Sequence, residues 1–122
     1  MSVEMTIYGK PIAKARHRTK RMKGKMVTYD PQKDDKNTVR WLMISKMKGK
    51  VLTGPLALEV VCYRQRGKRL HATSKPDVDN YAKFYMDCAN GVIWEDDAQV
   101  VDLRAKKEYA DEPRTEIRIK EL

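Results

Sequence analysis

The sequence has few cysteines, no long apolar run and no recognisable export signal. Its two cysteines, Cys62 and Cys88, are too few for a disulfide framework or a four-ligand zinc site. No apolar segment approaches the roughly 20 residues that a transmembrane helix needs. The start of the chain, Met1 to Glu4, lacks the charged and apolar regions of a secretory signal. These absences predict a cytoplasmic protein with no membrane partner.

Repeats, low-complexity segments and internal linkers are also missing. A length of 122 residues fits one domain, residues 1–122, and a hydrophobic content of 41% argues against disorder. A domain of this size hides roughly 65% of the surface that its unfolded chain exposes. The chain is therefore long enough to build a real core.

Positive charge is what the chain has in excess, and it is unevenly placed. The net charge is +9, from 26 Lys and Arg against 17 Asp and Glu. Residues 9–27 hold eight basic side chains and residues 64–75 hold five, with no acid in either segment. Residues 76–102 show the reverse, with seven acids and one base. The basic segments predict a polyanionic partner, most commonly nucleic acid, and the acidic block that follows the second of them suggests bound metal cations.

Local patterns predict a small mixed domain. Residues 3–8, 56–64, 100–109 and 115–122 show the composition of strands, and 12–29 indicates a long loop or loose hairpin. Two signals predict the start of a helix. Asp30-Pro31 places Asp at the N-cap of the first helix, and Pro76 stands in front of the second. The fold class is therefore α/β (α+β), with one mixed sheet and two main helices. The pairing and order of the strands do not follow from these patterns.

Two carboxylates stand at the predicted start of the second helix. Inside one helix, Asp77 and Asp79 would lie about 200° apart and could not share an ion. With Asp77 at the N-cap and Asp79 in the first turn they can converge, and the turn Glu95–Asp97 could bring further carboxylates. Oxygen ligands of this kind suit Mg²⁺, which can polarise a phosphodiester and activate a water. Lys83, one turn after Asp79, could neutralise developing charge.

Each acidic element also has a purely structural explanation. Asp77 could serve only as a helix cap, and Asp79 with Lys83 could be a surface ion pair worth a few tenths of a kcal/mol. The turn at Glu95–Asp97 could simply be exposed. Trp41 stays open between core, dimer contact and a wedge that stacks on DNA.

The segment Lys75–Asp102, KPDVDNYAKFYMDCANGVIWEDDAQVVD, resembles the signature of the RusA family of Holliday junction resolvases. The opening GKP…KAR.R, followed by YDP at residues 29–31, is similar to the phage or prophage type of that family. The resemblance implies a dimeric, Mg²⁺-dependent endonuclease, with Mn²⁺ as a substitute and no organic cofactor. It places the catalytic aspartates at Asp77, Asp79 and Asp97 and the catalytic lysine at Lys83. Asp96 would be a further metal ligand. Asn80 and Asp87 match supporting positions, while Tyr81 and Ala89 stand where the family more often has an aliphatic residue.

The predicted function is resolution of four-way DNA junctions by paired phosphodiester hydrolysis in DNA recombination and repair. Two cuts related by a two-fold axis call for a C2 homodimer. Candidate contacts to the DNA backbone, which read shape and charge rather than sequence, are Lys10, Lys14, Arg16, Arg18, Arg64, Arg66, Lys68 and Arg69. Two alternatives remain: a non-catalytic nucleic-acid-binding module, and a metal-dependent nuclease that acts on another DNA or RNA structure.

Overall fold

A computed structural model describes residues 2–15, 18–68 and 70–122 of the chain. Three of the predicted DNA contacts fall outside this description in whole or in part. Arg16 and Arg69 lie outside the described residues, as does the side chain of Arg18.

A four-stranded mixed sheet forms the body of the protein. Its strands are β1 (Ser2–Tyr8), β4 (Leu56–Gln65), β5 (Val100–Ala110) and β6 (Arg114–Glu121), in the spatial order β1-β6-β4-β5. β6 is antiparallel to both of its neighbours, β1 and β4, whereas β4 and β5 are parallel. The predicted α+β class with one mixed sheet and two main helices is confirmed.

The last two strands do not pair with each other, although only three residues separate them. β4 lies between them, so the turn at residues 111–113 crosses the end of that central strand. Side chains alternate along β6, with Thr115, Ile117 and Ile119 buried and the intervening residues facing outward. β5 is left as an edge strand of the sheet, and its Leu103 is 46% exposed.

Two helices cover one face of the sheet. α1 spans Lys33–Met47 and buries Val39, Met43 and Met47. The helix start predicted at Asp30-Pro31 is too early, because the N-cap residue is Gln32. Asp30 lies in the turn before it and accepts hydrogen bonds from the backbone of Gln32 and from the side chain of Lys36. Trp41 is 68% exposed, which excludes the core as its location.

α2 spans Val78–Ala89 and connects the parallel strands β4 and β5. Its predicted apolar stripe is confirmed, since Tyr81, Phe84, Tyr85 and Cys88 are all buried. The far end of the helix is fixed by Arg40 of α1, whose guanidinium donates to the carbonyl oxygens of Cys88 (3.0 Å) and Asn90 (2.9 Å). These bonds satisfy carbonyls that a helix end otherwise leaves without a partner.

The segment 12–29, predicted as a long loop or loose hairpin, contains a hairpin at residues 18–29 with its own two-stranded sheet. β2 spans Arg18–Met22 and β3 spans Lys25–Tyr29, in antiparallel pairing around a turn at Lys23 and Gly24. Gly24 has a φ of +77°, a conformation that costs glycine nothing.

The core is continuous between the sheet and the helices and contains both cysteines. Burial raises the pKa of each thiol, Cys62 and Cys88, to about 12, so both behave as small apolar groups. The hydroxyl of Tyr85 is also internal and accepts bonds from the Ile12 amide (3.0 Å) and the Thr115 hydroxyl (2.9 Å). Neither helix in the described ranges has the length and apolar content needed to cross a membrane.

Candidate active site

The first turn of α2 carries two of the predicted catalytic carboxylates. Asp77 is the N-cap residue, as the sequence predicts, but its side chain makes no capping hydrogen bond. The explanation of Asp77 as only a helix cap therefore lacks the contact that it requires. Asp79 follows in the first helical turn and is exposed. Among the ion pairs of the described residues there is none between Asp79 and Lys83, so the simple surface pair is not formed either.

A groove of about 460 Å³ runs between α2 and the edge strand β5. Three charged residues line it, namely Asp79 and Lys83 from α2 and Asp97 from the short 3-10 helix η1 (Asp97–Gln99). The rest of its lining is apolar and consists of Val78, Ala82, Met86, Leu103 and Ala105. The fold thus brings together three of the four residues predicted to be catalytic. Asp77 precedes Val78, which lines the groove, but Asp77 is not among the lining residues.

The side chain of Gln99 fixes the turn that carries Asp97. The amide oxygen of Gln99 accepts bonds from the backbone of Glu95 (3.0 Å) and Asp96 (3.2 Å), and its amide nitrogen donates to the carbonyl oxygens of Leu52 and Gly54 (both 3.1 Å). Gln99 therefore ties the acidic turn to the loop before β4.

Asp96 caps η1, because its carboxylate accepts the Ala98 N–H at 3.1 Å in a capping box with Gln99. The spacing of Asp96 and Gln99 was a readable signal for this capping box. One of the two carboxylate oxygens of Asp96 is thereby engaged within the turn.

The donor set of the groove fits a hard divalent cation. Asp79 and Asp97 offer carboxylate oxygens, and the described residues that line the groove include no thiol or imidazole. Mg²⁺ is commonly held by one or two carboxylates together with waters and substrate phosphate oxygens. Across residues 2–15, 18–68 and 70–122, no three His, Cys, Asp or Glu side chains form a metal-binding cluster. A carboxylate pair shares the groove, but the predicted meeting of three or four carboxylates is not seen among these residues.

The side chains of Arg64 and Lys107 hold the segment that leads into α2. The guanidinium of Arg64 donates to the carbonyl oxygen (2.9 Å) and hydroxyl (3.1 Å) of Ser74. The ammonium of Lys107 on β5 donates to the carbonyl oxygens of Ser74 (3.2 Å) and Pro76 (3.1 Å). Arg64, predicted as a DNA contact, thus has an intramolecular role. Lys107 was missed because only the packing of β5 beside this segment reveals it.

The segment before the hairpin is also bound to α2. The ammonium of Lys14, another predicted DNA contact, forms an ion pair with Asp87 at 2.7 Å. The Lys14 backbone N–H donates to the Asn80 carbonyl oxygen at 2.9 Å. Asp87 and Asn80, which were predicted as supporting residues, both anchor this segment. Three other predicted DNA contacts are exposed: Lys10, Arg66 and Lys68.

Comparison with known proteins identifies the family of the chain. The family model for endodeoxyribonuclease RusA matches residues 8–120. A relative from Bacillus subtilis strain 168, named "Uncharacterized protein YqaN", is 36% identical over 98% of this chain and 96% of its own length. The chain therefore belongs to the RusA family of endodeoxyribonucleases.

Proposed function

We propose that the protein is a divalent-metal-dependent endonuclease that resolves four-way DNA junctions by paired phosphodiester hydrolysis. One observation carries the proposal: Asp79, Lys83 and Asp97 come from two separate elements and line a single groove. Membership of an endodeoxyribonuclease family supports the class of reaction. The preference for four-way junctions, and a role in recombination and repair, are the finer parts of the proposal.

The carboxylates are assigned to the metal. Asp79 and Asp97 would hold Mg²⁺ or Mn²⁺, with Asp77 and Asp96 as further ligands or as supports for them. A divalent ion bound there supplies a Lewis acid for the phosphate and a bound water of lowered pKa. These assignments agree with the two carboxylates that line the groove, since carboxylate oxygens are the ligands that Mg²⁺ prefers.

Lys83 is assigned to the phosphate. Lys83 lines the same groove as the two carboxylates and is exposed. A phosphate bound between the carboxylates and Lys83 would be attracted by the ammonium, and that attraction grows as the DNA displaces water from the groove. Lys83 therefore stabilises the extra negative charge that develops as the phosphodiester is attacked.

The basic segments are assigned to the DNA backbone. Lys10, Arg66 and Lys68 are exposed, and the segments that contain them have no acid. Contacts of this kind position the duplex arms and carry little sequence information. Because a junction needs two cuts related by two-fold symmetry, we place two copies of the chain on one junction.

A cleavage assay tests the proposal against its alternatives. A synthetic four-way junction, a linear duplex of the same sequence and the single strands are incubated with the protein in Mg²⁺, in Ca²⁺ and in excess EDTA. We expect paired nicks in the junction in Mg²⁺, little cleavage in Ca²⁺ and none in EDTA. Binding without cleavage in any buffer would favour the non-catalytic module. Equal cleavage of all substrates would favour a nuclease with another target, and rapid cleavage in EDTA would remove the metal from the proposal.

A further inference from the structure

The β2–β3 hairpin exposes a surface that the rest of the protein does not use. Every residue from Thr19 to Thr28 is exposed, and the two strands form a sheet of their own. A two-stranded hairpin of this kind is at best marginally stable alone in water. Its exposed apolar side chains include Met22 (48% exposed) and Met26 (65%), so both are available for contact with a partner.

The hairpin pairs a cation with an apolar side chain at three successive positions. Lys20 lies opposite Val27, Arg21 opposite Met26, and Met22 opposite Lys25. Residues directly opposite one another in an antiparallel pair share a face of the ribbon. Each pair therefore places one cation and one apolar side chain on the same face, and successive pairs lie on opposite faces of the ribbon.

The two methionines lie at the tip of the hairpin. They belong to the last two pairs before the turn at Lys23 and Gly24. Methionine is flexible and polarisable, and it adapts to irregular apolar surfaces. The tip therefore carries one methionine on each face of the ribbon, Met26 beside Arg21 and Met22 beside Lys25.

Charge decides which partner fits this tip. Residues 9–27 contain no acid, so the hairpin carries only positive charge and suits a polyanion. Nucleic acid combines a polyanionic backbone with the apolar faces of its bases. Apolar wedges such as methionine enter between bases at the cost of unstacking them. That cost is smallest where stacking is already interrupted, as it is at the branch point of a junction.

We propose that the β2–β3 hairpin recognises the branch point of the DNA junction. Met22 and Met26 pack against base faces exposed at the crossover, and Lys20, Arg21 and Lys25 contact the flanking phosphates. This inference rests on the proposed junction-cutting function and gives its selectivity a structural source. It assigns preference for branched over linear DNA to the hairpin, and chemistry to the groove between α2 and β5.

The test compares three variants in EDTA, so that cleavage does not interfere. M22Q/M26Q removes the apolar tip, M22L/M26L retains it, and L42Q removes an exposed apolar side chain on α1 as a matched control. Dissociation constants are measured for a four-way junction and for a linear duplex. We expect M22Q/M26Q to lose about tenfold in junction affinity with little change for duplex, whereas the other two behave as wild type.

A base analogue at the branch point reports the contact directly. We expect 2-aminopurine fluorescence at the crossover to change when wild type or M22L/M26L binds, and to change much less with M22Q/M26Q. Thermal melting should be the same for all variants, because the hairpin side chains are exposed. An unchanged junction-to-duplex ratio in M22Q/M26Q, with a wild-type melting temperature, overturns the inference.

The outcome for wild type separates this inference from the proposed function. Wild-type protein that cuts junctions while M22Q/M26Q stays equally selective would disprove only the role of the hairpin. Wild-type protein that neither prefers nor cuts junctions would disprove the proposed function itself, and the inference with it. Substitution of Lys20, Arg21 and Lys25 by Gln gives a further measure: junction binding should weaken and its salt dependence should flatten by about three in log-log slope.

Discussion

The ammonium of Lys107 donates a hydrogen bond of 3.1 Å to the carbonyl oxygen of Pro76. Lys107 lies on the edge strand β5, and Pro76 immediately precedes Asp77, the N-cap of α2. The bond therefore ties the strand on one side of the groove to the start of the helix on the other side. We regard Lys107 as a positioning residue for the carboxylates of α2.

Lys107→Met should impair cleavage more than binding. The substitution keeps the aliphatic stem and removes the donor, so the segment before Asp77 loses its link to β5. We expect the rate of junction cleavage under single turnover to fall about tenfold, the lower end of the effects seen when support for a metal ligand is lost. Metal-free junction affinity should change little. Lys107→Arg should restore part of the rate, because it still offers donors.

Lys106→Met provides the matched control for this prediction. Lys106 is adjacent on β5, is exposed, and faces the other side of the sheet. Both substitutions remove one positive charge from the same strand. Equal losses in the two variants would show that net charge, and not the bond to Pro76, is responsible.

The ion pair between Lys14 and Asp87 should contribute to stability. The two side chains are 33% and 24% exposed and lie 2.7 Å apart. We expect a coupling of about 0.5–1 kcal/mol, the upper part of the range for pairs that retain solvent contact. The measurement is a double-mutant cycle of Lys14→Met and Asp87→Asn by urea unfolding. A coupling near zero would mean that the segment 11–15 is held by its backbone hydrogen bonds and by the packing of Ile12 and Ala13 against the core, without help from this ion pair.

Helix α2 illustrates what local sequence determines. Its apolar stripe has the helical period, Pro76 stands before its first turn and Gly91 follows its last. These signals lie within one short segment, so they predict the helix and the placement of Asp79 and Lys83 on one side of it. The position of β4 between β5 and β6 had no such signal. Strand pairing is decided by contacts between distant segments, and the short turn at 111–113 gives no indication of the strand that it crosses.

The same distinction runs through the candidate site. Asp97 was predicted near α2 because a short connection leads from Asn90 back to the sheet. Leu103, Ala105 and Lys107 were not predicted, because their role depends on which strand forms the edge beside α2. Their own residue types carry no functional signal, so only the assembled fold reveals them.

Stability should fall in alkaline solution because of the two buried thiols. Burial raises the pKa of Cys62 and of Cys88 to about 12, while an unfolded thiol ionises near 8.5–9. Below that ordinary value both states hold the proton and stability is complete. Above it only the unfolded chain releases the proton, so the free energy of unfolding decreases as pH rises toward 12.

Urea unfolding between pH 7.5 and 10 tests this prediction of alkaline sensitivity. The comparison uses the part of that window up to pH 9, which precedes most tyrosine ionisation in the unfolded chain, since the ordinary pKa of tyrosine is about 10. Cys88→Ala should be less stable than wild type at pH 7.5 because a buried group is lost. Its decrease with pH should be about half as steep, because one thiol remains. A pH slope identical to that of wild type would contradict the burial argument for Cys88.

Asp79→Asn is the sharpest test of the groove. The amide keeps the shape of the side chain but offers a neutral oxygen in place of a charged ligand, so divalent metal should bind less well. We expect cleavage to fall by at least about 10²-fold, the scale on which loss of one transition-state stabiliser is felt. Metal-free junction binding should persist or tighten, because a negative charge facing a polyanion is removed. The melting temperature should hold, since Asp79 is exposed.

Asp111→Asn makes the same change of charge away from the groove, in the exposed turn between β5 and β6. This variant has the same net charge as Asp79→Asn and should cleave at the wild-type rate. A gain in junction binding that both variants show is therefore electrostatic. Cleavage by Asp79→Asn near the wild-type rate would refute the assignment of this carboxylate to the metal. A lowered melting temperature together with lost junction binding would show instead that Asp79 supports the fold. Because binding, cleavage and melting respond differently under each explanation, this pair of variants decides between a catalytic groove and a solvent-exposed acidic surface.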